Sequence, residues 1–314
     1  MRTLIVELYR STNITSNARV NHRLRRVHQK AARSITPASK SIRPLYNRVL
    51  IPLGSQSAPR DPIQIVLVSP RNPLNIGAAA RAMVNFGFSR LAVVAPYAPH
   101  WREARSAVGA PGVLQNAKST ECLADAVASC TLVVGTGTLA YRKPEQKVVA
   151  LPSLAPIVTG EIERGGSIAL VFGPEKHGLT RENLSLCHLL VEIPTDPRQP
   201  SMNLGQAVAV CLYELASRTS PPDSAAVEAA SEPADDGPKQ QSPAAPSGDL
   251  ELLARLVEEV MTAADYSPPS MRAANRHDLR LLLRRLAPNR RDTRRFLGLF
   301  RRILWRLKRA PKGN

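Results

Sequence analysis

Three short stretches carry the side chains most able to do chemistry. They are Asn75-Ile76-Gly77-Ala78-Ala79-Ala80-Arg81-Ala82-Met83, Val171-Phe172-Gly173-Pro174-Glu175-Lys176-His177-Gly178-Leu179-Thr180 and Ser201-Met202-Asn203-Leu204. Each reads as a polar turn just after a buried strand, the first and last opening an Ala-rich helix. In an α/β domain such turns lie beyond the carboxyl ends of the strands, where free N–H groups and the positive helix end face ligands. Three of them in one domain predict a single composite site.

The residue types narrow its chemistry. Arg81 stands on an otherwise small and apolar helix face, and its guanidinium can hold a phosphate bidentately or stabilise an oxyanion. With a pKa above about 12 it is a poor proton acceptor, so its expected work is orientation and electrostatics. Asn75 is placed either to cap the first helix or to belong to the site. Glu175 can orient Asn75 or Arg81, or be a solvated turn acid. Ser201 and Asn203 can cap the last helix, or present a hydroxyl and N–H groups to a carboxylate or ribose. His177 has no partner at metal-ligand spacing, and no metal site is expected. Neither GxxxxGK[ST] nor GxGxxG occurs, which argues against nucleoside triphosphate hydrolysis and dinucleotide binding.

The elements that must position these groups follow from apolar patterning. Ile63–Val68 reads as a buried strand, 76–86 as a helix and Leu91–Val94 as the next strand, a βαβ unit. Further strands are expected at 131–134, 167–172 and 189–194, with helices near 123–129 and over 204–217. Near-continuous apolar strands alternating with helices predict an α/β fold with a parallel sheet covered on both faces. Residues 218–249 are rich in Pro, Ala, Ser and acids, with almost no large apolar side chain, and read as a flexible linker. Beyond it, 250–264, 278–286 and 291–309 have helical spacing of apolar residues with Arg on the other faces, predicting a small basic all-α domain over 250–314.

Charge divides along the same lines. Residues 1–60 carry 12 basic and 1 acidic side chains, 61–249 carry 15 and 18, and 250–314 carry 16 and 6, within a total of +18. A near-neutral middle flanked by Arg-rich ends fits a site for a small molecule and ends that grip polyphosphate. Residues 1–60 lack periodicity and read as a basic disordered extension or a start-site artefact. The run Arg290, Arg291, Arg294, Arg295, Arg301, Arg302, Arg306, Lys308 and Arg309 repeats at three, four and seven, suiting phosphate contacts along an RNA. Four cysteines without metal-type spacing read as reduced packing residues, and no apolar run approaches membrane-spanning length. A cytoplasmic enzyme is expected.

Laid in order, Asn75-x-Gly77-x-x-x-Arg81, Phe172-Gly173-x-Glu175-x-x-Gly178-Leu179, and Ile193-Pro194 with Ser201-x-Asn203-Leu204 resemble the three motifs of the SpoU/TrmH class of SPOUT RNA 2′-O-methyltransferases. The match covers 63–217, so the methyltransferase domain is placed at 61–217. The helices after the linker resemble the appended domain of the TrmJ type, which methylates the tRNA anticodon loop at position 32. The resemblance implies a trefoil-knotted domain working as a homodimer, with S-adenosylmethionine held in the knot and tRNA as substrate. It implies active-site roles for Asn75, Arg81, Glu175, Ser201 and Asn203. Thr136, Gly137, Thr138, Phe172, Gly173, Gly178, Leu179, Ile193, Met202 and Leu204 would surround the cofactor. Arg142, with Arg290, Arg291, Arg294 and Arg295, is a candidate RNA contact. Pro200 stands where some tRNA-loop members carry an aromatic, which leaves the base preference open. The proton acceptor is open between a backbone phosphate, water and an unusual Arg base. The rival expectations are an rRNA methyltransferase of the same class and a non-catalytic RNA-binding protein with this fold.

Overall fold

A computed structural model of the chain describes residues 62–138, 144–219, 243–266 and 268–309. Its centre is a seven-stranded sheet formed by β1 (Ile63–Val68), β2 (Arg90–Val94), β3 (Lys118–Thr120), β4 (Leu132–Thr136), β5 (Lys147–Ala150), β6 (Ile168–Phe172) and β7 (Leu189–Glu192). All pairings are parallel, in the order β3-β2-β1-β6-β4-β7-β5. The helices of this part are α1 (Pro73–Asn85), α2 (Pro111–Gln115), α3 (Leu123–Ala126), α4 (Leu154–Glu163), α5 (Arg181–Ser185) and α6 (Leu204–Thr219).

The period of two along each strand splits the apolar residues between two layers. Ile65, Leu67, Leu170, Phe172 and Val191 face α1, α4 and α6, while Val66, Val133, Val171 and Leu190 face α3 and α5. β1 is buried throughout, so its one polar side chain must be satisfied internally. Gln64 Nε2 donates to the Ala126 carbonyl at 2.9 Å, and its Oε1 accepts from Arg90 Nη2 at 3.2 Å.

The start of α1 differs from expectation. Asn72, not Asn75, is the cap: its Oδ1 accepts from Leu74 N at 2.9 Å, and Pro73 occupies the first helical position. Proline suits that position because its fixed φ is helical and its missing N–H has no partner there anyway. Asn75 therefore lies inside the first turn with its amide free for other partners. Against α1 lies α6, packed so closely that a Cβ on Gly205 would stand 2.7 Å from Ala78 Cβ. Of the cysteines, Cys130, Cys187 and Cys211 are buried, but Cys122 is exposed and is not a packing residue; its Sγ donates to Asp125 Oδ2 at 3.1 Å.

After the sheet domain come α7 (Ser247–Ala263), α8 (Arg272–Leu286) and α9 (Arg290–Arg309). They share a small core of Leu253, Ala254, Leu256, Leu283, Leu297 and Leu304. α6 continues to Thr219 and α7 begins at Ser247, both inside the bounds expected for the linker at 218–249; residues 220–242 lie outside the described residues, as do 1–60. The N-terminus of α7 is tied to the sheet domain: Ser247 N donates to the Cys130 carbonyl at 2.8 Å and Gly248 N to the Ala128 carbonyl at 2.9 Å. α8 adds ionic contacts. Arg280 holds Glu251 of α7 through two hydrogen bonds of 2.9 and 2.6 Å and reaches Glu182 of α5 at 3.6 Å. Arg181 Nε donates to His277 Nε2 at 3.2 Å. Behind them Arg284 is 4% exposed, and burial lowers its pKa to about 10. Among the described residues no helix is long and apolar enough to cross a membrane.

Candidate active site

The three turns converge beyond the carboxyl ends of β1, β6 and β7. Asn75 Nδ2 donates to Glu175 Oε1 at 2.8 Å, and Asn203 Nδ2 donates to Asn75 Oδ1 at 3.0 Å. One side chain from each motif thus forms a continuous relay across more than a hundred residues of sequence. Asn203 is anchored at its other end, because its Oδ1 accepts from Gly205 N at 2.9 Å and Gln206 N at 3.4 Å and so caps α6. Capping and membership of the site, alternatives in the sequence, are here two ends of one amide.

Glu175 is held ionised. Partial burial pushes its carboxyl up, but hydrogen bonds from the Asn75 amide and from the backbone N–H groups of Glu175, Arg71 and Asn72 outweigh that and bring it below the usual carboxylate value. The Arg71 N–H lies 3.3 Å from Oε2. With both oxygens occupied as acceptors, this carboxylate orients Asn75. Arg71 and Asn72 escaped the sequence reading, although Asn72-Pro73 is a recognisable helix-start signal that places them there.

Beside the relay is a cavity of 280 Å³. Thr136, Gly137, Thr138, Phe172, Gly173, Gly178, Leu179, Ile193, Met202 and Leu204 all line it, together with Glu175 and Ser201. Leu184, Thr195 and Ala207 also line it and were not singled out from the sequence. Thr136 Oγ1 donates to the Val171 carbonyl at 3.0 Å and Thr138 Oγ1 to the Pro200 carbonyl at 2.9 Å, fixing one wall to its neighbours. The opposite wall is a loop closed on itself. Gly178 N donates to the Pro174 carbonyl at 2.9 Å with Gly178 at φ +64°, and a Cβ on Gly173 would collide with the backbone of Gly178 and Leu179. Only glycine at 173 permits this approach.

Arg81 is not brought to the cavity. It is exposed on α1, outside the lining, with no partner among the described residues. Around it runs an apolar surface in which Leu74 is 53%, Val84 45% and Tyr213 59% exposed, and the ring of Tyr213 meets Phe86 edge-on at 6.0 Å. Arg142 lies outside the described residues. Arg290, Arg291, Arg294 and Arg295 surround a shallow hollow with Pro243 at the start of α9, far along the chain from the cavity residues.

Residues 62–213 match the SpoU rRNA Methylase family. The chain is similar to the tRNA (cytidine/uridine/adenosine-2′-O-)-methyltransferase TrmJ of Pseudomonas aeruginosa (strain UCBPP-PA14), at 40% identity over 156 residues, covering 49% of this chain and 60% of that protein. It thus spans less than two thirds of the length of that relative. The tRNA (cytidine/uridine-2′-O-)-methyltransferase TrmJ of Escherichia coli (strain K12) is 32% identical over 257 residues, 80% of this chain and 97% of that protein. Among solved structures, TrmJ from Z. mobilis ZM4 superposes with a TM-score of 0.64 at 29% identity, covering 76% of this chain and 98% of that one.

Proposed function

The chain belongs to the SpoU methylase family and within it is most like the TrmJ type, and from that premise we propose that it is an S-adenosylmethionine-dependent tRNA 2′-O-ribose methyltransferase. The observation that carries this reading is the Glu175–Asn75–Asn203 relay standing at the mouth of a cavity lined by all the expected cofactor residues. The anticodon-loop pyrimidine at position 32 is the proposed target, on the strength of the same resemblance.

The cavity suits the cofactor. Phe172, Leu179, Ile193 and Leu204 offer apolar walls for a flat adenine, the glycine-lined loops bring main-chain groups close, and the Glu175 carboxylate sits at one end of a site for a positively charged ligand. S-adenosylmethionine, when bound, supplies an electrophilic methyl group. The chain's own residues do the rest. Ser201 and Asn203 position the ribose, Asn75 fixes the Asn203 amide, and Glu175 is a positioning residue acting through Asn75. Arg81 stabilises the negative charge that grows on the 2′-oxygen, where a preset cation costs no reorganisation at the moment of reaction.

Arg81 lies outside its own chain's cavity, and the exposed apolar surface beside it supports a homodimer in which the partner subunit's Arg81 completes the site. The trefoil knot belongs to the same proposal, implied by the family. The basic helices α8 and α9 grip the tRNA backbone, with Arg290, Arg291, Arg294 and Arg295 as phosphate contacts.

The test is methyl transfer from labelled S-adenosylmethionine to unmodified tRNA, with product nucleosides mapped by mass spectrometry. A 2′-O-methyl pyrimidine in the anticodon loop is the expected product. Transfer to rRNA fragments alone, or cofactor binding without transfer to any RNA, would overturn the substrate or the activity respectively.

A further inference from the structure

The chain has two tryptophans, and they differ sharply. Trp101 is 2% exposed and belongs to the core, whereas Trp305 is 40% exposed near the end of α9. Two guanidiniums attend the Trp305 ring: Arg302 Cζ lies 4.3 Å and Arg309 Cζ 4.2 Å from its centroid. Neither guanidinium has a carboxylate partner among the described residues. The π faces of the half-exposed indole draw both guanidiniums, and together they leave unbalanced positive charge beside an open aromatic surface.

The surroundings extend the pattern. The buried side of α9 is Thr293, Leu297 and Leu304, so the helical period puts Arg291, Arg295, Arg302, Arg306 and Arg309 on the opposite side. At 1.5 Å per residue that stripe is about 27 Å long, enough for several successive phosphates. Trp305 stands on one flank of the stripe. A bare basic stripe would suit any polyphosphate duplex, but the indole between two guanidiniums adds something a duplex has no use for. Its bases are already stacked on each other. An unpaired base can lie on the indole in place of one guanidinium, and the displaced guanidinium is then free to take that nucleotide's phosphate.

We propose that Trp305, with Arg302 and Arg309, is a stacking platform for an unpaired nucleobase of the bound RNA, which makes α9 a reader of single-stranded loops and not only a phosphate grip. This rests on the reading that the C-terminal helices bind RNA. A second protein chain covering Trp305 is the competing occupant, disfavoured by the density of unpaired positive charge around the ring.

The full-length protein is titrated with an RNA hairpin carrying an unpaired loop and with a blunt duplex of equal length, following tryptophan fluorescence; Trp101, being buried, serves as the internal reference. The hairpin should quench the exposed component and the duplex should not. Trp305→Ala should weaken the hairpin about 10- to 100-fold, the usual range for losing one stacked base, and leave the duplex unchanged. Trp305→Phe should retain most of the affinity. Tight binding of both RNAs with Trp305→Ala equal to wild type overturns the platform while sparing the RNA reading, and failure of the wild type to bind either RNA overturns both. A fluorescence change that follows protein concentration without RNA puts another chain on the ring and also overturns the platform.

Discussion

If Asn75 and Asn203 act as one unit, their replacements must not be independent. Asn203→Ala removes the cap of α6, worth about 1 kcal/mol, and one exposed hydrogen bond to Asn75, worth about 0.5 kcal/mol. Asn75→Ala removes that same bond and the one to Glu175. A shielded bond to an ionised carboxylate is worth about 1.5–3 kcal/mol, which solvent around the exposed Glu175 reduces to about 1 kcal/mol. Thermal or urea unfolding should therefore show a double variant about 0.5 kcal/mol less destabilised than the two single effects combined. Turnover should be far more sensitive. Each single change lets the ribose site drift, costing about 100-fold in single-turnover methyl transfer, and the double change should cost little more than either alone. Asn203→Asp separates the two ends of the amide: it keeps a capping oxygen but puts an acceptor opposite Asn75 Oδ1, so it should be less destabilised than Asn203→Ala while turnover still falls. A double variant near 10,000-fold slower, each residue contributing its own factor of about 100, would falsify the relay.

Other consequences are checked as directly. Arg81→Ala should lower turnover by at least about 100-fold, with cofactor affinity by calorimetry within a few-fold of wild type and stability within about 0.5 kcal/mol, because the side chain is exposed; unchanged turnover would remove Arg81 from the mechanism. Gly173→Ala forces the Gly173–Leu179 loop open and should cost cofactor affinity about 10-fold and stability about 1–3 kcal/mol, so a variant that binds normally would show that the loop does not shape the cavity. His188 accepts from Val133 N at 3.0 Å and burial, aided by Arg284, depresses its pKa to about 3, so the folded protein keeps it neutral after the unfolded chain has bound a proton. Stability should then fall as pH drops from 6.5 toward 3, by at most about 1.4 kcal/mol per pH unit from this group, and His188→Asn should flatten that slope. An equal slope in the variant would assign the acid sensitivity elsewhere.

The long, fully apolar strands were legible because each has enough buried residues to outvote any competing pattern: β1, β2, β4, β6 and β7 fall within a few residues of the expected positions. β3 is three residues of Lys, Ser and Thr at the sheet edge, and β5 offers only Val148-Val149-Ala150 behind Lys147, an apolar run too short to stand out. α4 carries Pro156, Val158, Thr159 and Gly160, poor helix formers that only tertiary packing holds in place. Within the site, Asn75 was legible as one of two partners for Glu175, but the bond from Asn203 that completes the relay was not. Of the two roles open to Asn75, the cap falls to Asn72, because Pro73 starts the helix two residues upstream. Contact between Asn75, Glu175 and Asn203 depends on a strand order that no local pattern encodes. Arg284 is the opposite case: in Leu281-Leu282-Leu283-Arg284-Arg285 it looks like an outward basic residue, and only the docking of α8 buries it.

That docking sets a length. The backbone bonds from Ser247 and Gly248, and the Arg280 contacts to Glu251 and Glu182, fasten the C-terminal helices to the sheet instead of leaving them on a tether. A tethered grip would raise the local concentration of RNA and nothing else. If α9 grips RNA as proposed, a fastened grip works as a ruler: the nucleotide offered to the cavity is the one a fixed distance from whatever feature α9 holds. Loosening Arg280 should therefore blur which nucleotide is chosen before it slows the reaction.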